Sequence, residues 1–152
     1  MDVSNIIVGI KPYQTGKGIP KQTKEIVKEK IFTNTYPIDE TYLKCVIGKD
    51  FHRYQFIQEP KMFLSYGDWL AEPRNSAPFF DDQKIIIRQT SDSITATIDD
   101  NKWINLNNVY NVGSVIDKFE VKYILALLNS KLLNIIYQNI SQEKGRTFAE
   151  VK

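Results

Sequence analysis

Asp82, Gln83 and Lys84 form an acidic-x-Lys triplet, and Glu59, Pro60 and Lys61 form a second. In a metal-dependent nuclease such a half-site lets a carboxylate hold Mg²⁺ while the lysine helps activate water. Three-residue patterns this loose recur by chance, so solvated residues at strand starts are the stronger expectation for both. Gly16, Lys17 and Gly18 invite a phosphate-loop reading, because glycines let backbone N–H groups approach an anion. The match is poor: a Walker loop continues with Lys and Ser or Thr at a helix start, and a dinucleotide fingerprint needs a third glycine where Lys21 stands. His52 is the single histidine and Cys45 the single cysteine. Two such residues supply neither a zinc ligand set nor an oriented Cys-His or Ser-His-Asp nucleophile. The residues form no complete catalytic set.

Binding chemistry is better represented. Arg53, Arg74, Arg88, Gln89, Asn107 and Asn108 carry the fork or amide geometry that reads base edges, Arg toward guanine and Asn or Gln toward adenine. Lys11, Lys17, Lys49 and Lys61 suit phosphate contacts that position a protein on a duplex. A surface ion pair or a turn hydrogen bond is the competing account of each one. The formal net charge of +2 excludes a uniformly basic protein, although residues 11–30 hold six lysines against Glu25 and Glu29. That cluster is either a polar patch or a solvated helix face.

These side chains need a scaffold, and 152 residues with 42% hydrophobic content bury a real core. We expect one α+β domain, with a mixed β-sheet packed against a long amphipathic C-terminal helix and a shorter N-terminal helix. Short apolar or alternating runs at residues 6–10, 42–47, 53–57, 61–66, 84–90, 93–98 and 107–112 predict the strands. Pro20 suits the first turn of a helix over residues 21–30, and Pro37 makes 33–41 a loop. From residue 118 the period changes. Val121, Ile124, Leu125, Leu128, Leu132, Ile135 and Ile136 form the stripe of a helix to about residue 139, with Asp117 as its N-cap. Gly145 ends that helix, and residues 147–152 read as the start of another.

Residues 65–80, with two prolines, adjacent Phe79 and Phe80, Trp69 and Arg74, match no periodic element and are expected to form a binding loop. The aromatics are more often core or loop anchors than base-stacking platforms. One cysteine points to a reducing, intracellular setting. No run approaches the ~20 apolar residues that cross a bilayer. We expect a cytoplasmic protein with no membrane partner.

Six blocks in order, GIKPYQTGKGIPKQTKEIVKEKIF, IGKDFHRY, SYGDWLAEPR, KIIIRQT, NNVYNV and KYILALLNSKL, resemble the TaqI-like C-terminal specificity domain. That family forms target recognition domains of N6-adenine DNA methyltransferases, especially fused type II restriction-modification enzymes. The resemblance implies recognition of double-stranded DNA by a non-catalytic module of a larger polypeptide. Its partner is the methyltransferase domain of that polypeptide, which binds S-adenosylmethionine, with Mg²⁺ in a nuclease part where one is present. No cofactor is expected in this domain. The methyltransferase's Asn/Asp-Pro-Pro-Tyr/Phe motif is absent from the sequence, and the chain reads as a fragment of such an enzyme. Blocks shared by domains with different targets frame a site as readily as they read it. Base-reading residues are therefore also expected between the blocks, in 33–42 or 91–104, with Arg74 as a backbone contact. Three alternatives stand beside this: half of a type I specificity subunit, a small Mg²⁺ nuclease using Asp82 and Lys84, and a protein-interaction module.

Overall fold

Ile85, Ile86 and Ile87 are all buried in the computed structural model of the chain, which describes residues 5–113 and 120–141. Successive strand side chains point to opposite faces, so a strand apolar at every position needs cover on both sides. The elements that provide it are, in order, β1 (Asn5–Val8), α1 (Lys24–Glu29), β2 (Thr33–Asn34), β3 (Tyr42–Val46), a 3₁₀ turn (Gly48–Asp50), β4 (Phe51–His52), β5 (Gln55–Phe56), β6 (Met62–Ser65), β7 (Lys84–Arg88), β8 (Ala96–Asp99), β9 (Ile104–Asn105), β10 (Val109–Gly113), α2 (Val121–Leu128) and α3 (Lys131–Ser141).

The α+β class is as expected, but the single mixed sheet is not. Two four-stranded sheets form, with a small β4–β5 hairpin beside them. The first runs β1-β10-β7-β8 and is antiparallel throughout, with Ile7 opposite Asn111, Ile85 opposite Val112 and Ile86 opposite Thr97. The second runs β2-β6-β3-β9 and is mixed, because β9 lies parallel to β3 with Cys45 beside Ile104. The three isoleucines divide the interior accordingly. Ile85 and Ile87 pack with Val112 and Leu125 on the helix side, while Ile86 packs with Val46, Phe51 and Val109 on the other. A third cluster, with Ile10, Cys45, Leu64, Leu70, Phe79 and Ile104, ties the second sheet to the N-terminal strand and the loop after β6.

The long C-terminal helix of the sequence reading is two helices. The apolar stripe is real, but Asn129 interrupts it. That residue is buried, donates from Nδ2 to the Ala96 carbonyl at 2.9 Å and accepts from the Ala96 N–H at 3.0 Å. A side-chain amide here completes the exposed edge of β8 as a neighbouring strand would, which is one way of protecting a sheet edge. Ser130 Oγ then accepts from Leu133 N at 3.1 Å and starts α3, and Asn134 Oδ1 accepts from Ile94 N at 3.2 Å. Glu120 precedes α2 without a side-chain cap. Residues 117 and 118, and those from 142 onward, lie outside the described residues.

Three smaller corrections follow the same physics. The first helix begins at Lys24 rather than at Pro20, because Gln22 is drawn into the interior and Thr23 takes the N-cap position. The expected strand at 53–57 is a hairpin whose turn contains Arg53 and Tyr54, the latter at φ 73°. The two-residue strands β2 and β9 were not foreseen; pairs that short leave no periodic signal.

Candidate functional site

The segment after β6, expected to be a binding loop, turns its polar groups inward. Trp69 Nε1 donates to the Ser65 carbonyl at 3.1 Å, and the Tyr66 hydroxyl donates to the Arg74 carbonyl at 2.5 Å. Buried Gln22 clamps this segment to the N-terminal loop, donating from Nε2 to the carbonyls of Pro12 and Trp69, each at 2.8 Å. Gly18 sits at φ 82°, where an added Cβ would lie 2.3 Å from the Trp69 carbonyl oxygen, so only glycine allows the approach. Arg74, expected at a DNA backbone, instead donates from Nε to the Val8 carbonyl at 2.9 Å and from Nη2 to Glu72 at 3.3 Å. Phe79 is buried, and Phe80 stacks edge-on against Tyr66 and Phe79.

Several other candidates are also committed to the frame. Lys11 bonds Gln14 Oε1 at 2.8 Å while its backbone bridges to Glu72. The Gly16–Gly18 turn uses its amides internally, Gly16 N to Gln22 O at 2.9 Å and Lys17 N to Gln14 O at 3.1 Å, leaving the Lys17 side chain exposed. Arg53 Nε donates to the Ile94 carbonyl at 3.0 Å.

Lys49, Lys61, Arg88 and Asn108 are brought together. Two grooves meet at the 3₁₀ turn, and Lys49 lines both. The larger, about 490 Å³, joins Thr33, Asn34 and Thr35 to Lys49, Gln58 and Lys61. The smaller, about 230 Å³, is lined by Gly48, Lys49, Arg88, Thr90 and Asn108. Local chemistry explains the arrangement. Asp50 is buried, and its Oδ2 accepts from Ile47 N at 2.9 Å, which closes the turn and leaves Lys49 exposed at its apex. Gly48 passes so close to Arg88 that a Cβ would meet its Cγ at 3.1 Å. Pairing of β7 with β10 sets Arg88 opposite Val109, and Gln89 N donates to the Asn108 carbonyl at 3.0 Å. Gln89 and Asn107 adjoin this corner without lining either groove; Gln89 reaches the Tyr110 hydroxyl at 3.4 Å and Asn107 is exposed.

The smaller groove is cationic and has no carboxylate in its lining. Arg88 is held by Nη2 donating to the Phe51 carbonyl and by packing over the Phe51 ring, 5.7 Å to its centroid. Burial pushes its guanidinium below the ordinary arginine range. Its Nε and the Oδ1 of Asn108 are both buried without a hydrogen-bond partner among the described residues.

The structure separates Asp82 from Lys84. Lys84 is enclosed, donating from Nζ to the carbonyls of Phe79 at 2.8 Å and Trp103 at 2.9 Å, with Asp99 Oδ2 3.2 Å away. Asp82 lies at the surface, paired with Lys102 at 2.7 Å. In the second triplet Glu59 pairs with Lys44, away from any partnership with Lys61. Among the described residues no group of three or more His, Cys, Asp or Glu is placed to hold a metal. Cys45 is interior, and burial pushes its thiol far above the ordinary range; His52 is exposed on β4. No helix among the described residues is long and apolar enough to cross a membrane.

Of the stretches named between the blocks, 33–42 contributes Thr33, Asn34 and Thr35 to the larger groove, whereas 91–104 lines neither groove. Gln58 and Thr90 were not anticipated. They are ordinary polar residues beside strands, and only the tertiary pairing makes them neighbours of the lysines.

No curated protein matches the chain. Residues 43–152 match the model of the TaqI-like C-terminal specificity domain, a span from the second residue of β3 onward that contains Lys49, Lys61, Arg88 and Asn108. The first of the six sequence blocks, and Thr33 to Thr35 with it, precede the matched region. With well over half of its length matched, the chain belongs to the family of TaqI-like C-terminal specificity domains.

Proposed function

We propose that this domain reads a double-stranded DNA sequence on behalf of an adenine-N6 DNA methyltransferase of a type II restriction-modification system, and carries out no chemistry itself. The observation behind the reading is the pair of grooves meeting at Lys49 in a member of a specificity-domain family. Exposed Lys49 and Lys61 have the placement of phosphate contacts, and the Thr, Asn, Gln and Arg side chains between them have the donors and acceptors that base edges require. Methyl transfer, and with it S-adenosylmethionine, belongs to a catalytic domain of the same polypeptide, with or without a nuclease. Such an enzyme acts in the cytoplasm, where its DNA is.

The test is duplex binding as a function of salt. Each phosphate-contacting lysine contributes about 0.9 to the slope of log K against log salt. The Lys49→Ala and Lys61→Ala chains should each show a shallower slope by about that amount, with the preferred sequence unchanged. Slopes equal to that of the unaltered chain in both variants would refute the placement of DNA on this face. A methyltransferase motif in the reading frame that carries this domain is the expected sequence context for the type II assignment.

A further inference from the structure

The smaller groove holds two buried polar atoms of opposite kind that the fold leaves unpaired, the Nε–H donor of Arg88 and the Oδ1 acceptor of Asn108. Native interiors pair nearly all such groups, and an unpaired one lowers stability, so their occurrence in the lining of one groove asks for a ligand. Phosphate is the obvious anion for a groove carrying Arg88 and Lys49. At neutral pH, however, a diester oxygen has no proton to offer, and it would leave Asn108 Oδ1 as it stands.

A base-pair edge supplies both partners. In the major groove adenine presents the N7 acceptor beside its N6 amine, and a G·C pair presents guanine N7 and O6 beside the cytosine N4 amine. We infer that the smaller groove is a base-reading subsite, in which Asn108 accepts from an exocyclic amine while Arg88 donates to the neighbouring acceptor. This rests on the DNA-binding function proposed above and adds the residues that discriminate. Arg88 is pre-oriented for the task, since its Nη2 and its ring contact with Phe51 hold the guanidinium before any ligand arrives. Gly48 leaves room for that approach, and Lys49 at the groove's rim is free to reach the adjoining phosphate.

The experiment is site selection by the intact chain from a randomised duplex pool, followed by titration of the selected duplex at fixed salt. Asn108→Leu removes the acceptor at similar size; it should lose its preference at one base pair and bind the original site roughly 5- to 150-fold more weakly. Its salt slope should be unchanged, because no charge is lost, and its melting temperature should not fall, because no internal hydrogen bond is lost. Asn108→Asp, which keeps an acceptor at the same place, should retain the preference at that base pair. Whether the affected pair is A·T or G·C identifies which amine is read. If Asn108→Leu selects the full original consensus, or weakens all sequences evenly, the subsite is refuted while DNA recognition stands. If the unaltered chain selects no consensus, the DNA-reading function fails and the subsite with it.

Discussion

Replacing Lys84 with Met should be among the most damaging single changes in the domain, although Lys84 sits in a triplet that looks catalytic. Its side chain and that of Asp99 are both 0% exposed, and Nζ has three oxygen partners within 3.2 Å. Lys84→Met fills the same space but leaves the Asp99 carboxylate buried opposite an apolar group, with two carbonyls deprived of their donor. Breaking a buried pair from one side costs about 3–5 kcal/mol. For a chain of this size that lowers the melting temperature by roughly 6–20 °C. The double variant Lys84→Met with Asp99→Asn should recover part of the loss, because Asn retains an oxygen for the Asn101 N–H, which Asp99 Oδ1 accepts at 2.9 Å, and carries no charge. Burial is the main influence on the Lys84 ammonium and holds it below the ordinary lysine range, with Asp99 opposing the shift. The folded chain therefore gives up this proton at lower pH than the unfolded chain does. Between the two values the unfolded state binds more protons, so stability tied to this group rises with pH and is lost as pH falls. The gap between the original chain and Lys84→Met should accordingly widen on the alkaline side. Urea unfolding at several pH values measures both effects. A cost near the ~0–1 kcal/mol of an exposed ion pair, or a double variant no better than the single, would refute the account of Lys84 as a structural residue.

Asn129→Ala should destabilise the chain by about 2–4 kcal/mol, since it strips both backbone partners from Ala96 at the buried edge of β8; a cost below about 0.5 kcal/mol in urea unfolding would contradict the edge-capping role. Cys45 should resist an aromatic disulfide reagent in native buffer and react at the rate of a free thiol once unfolded, because burial raises its thiol and closes off access. Native-state labelling at the rate of an exposed thiol would show that the cluster around Ile10 and Leu64 is open.

Local pattern exposed much of the frame and little of the site. The apolar runs at β1, β3, β6, β7 and β10 were legible because each buries enough side chains to leave a period. The helix break at Asn129 was not, because three-and-four spacing reports which face is apolar and says nothing of an amide turned toward a sheet edge. Arg74 and Arg53 looked available for DNA because their types allow it; whether a guanidinium is free depends on carbonyls such as Val8 and Ile94, 66 and 41 residues away in sequence. Thr33, Lys49, Gln58, Arg88 and Asn108 become one surface only through the pairings β2–β6–β3 and β7–β10. No spacing within a single segment encodes that.

The division between committed and uncommitted side chains bears on how one fold can serve different targets. Gln22, Tyr66, Trp69 and Arg74 direct their hydrogen bonds to backbone carbonyls of the same chain, so changing any of them disturbs the frame. At the grooves the order is reversed. Lys49 and Lys61 project outward, and Asn108 Oδ1 satisfies nothing internal, so substitution there alters what is read without loosening what holds the domain together. The turn that presents Lys49 is itself fixed from beneath by buried Asp50. A rigid support under replaceable contacts is what a specificity domain requires, since each new target then needs changes in groove side chains and none in the core. Specificity should therefore be transferable by exchanging residues around the 3₁₀ turn and the β9–β10 connection, while exchange of the Tyr66–Arg74 region should cost stability and leave the preferred sequence as it was.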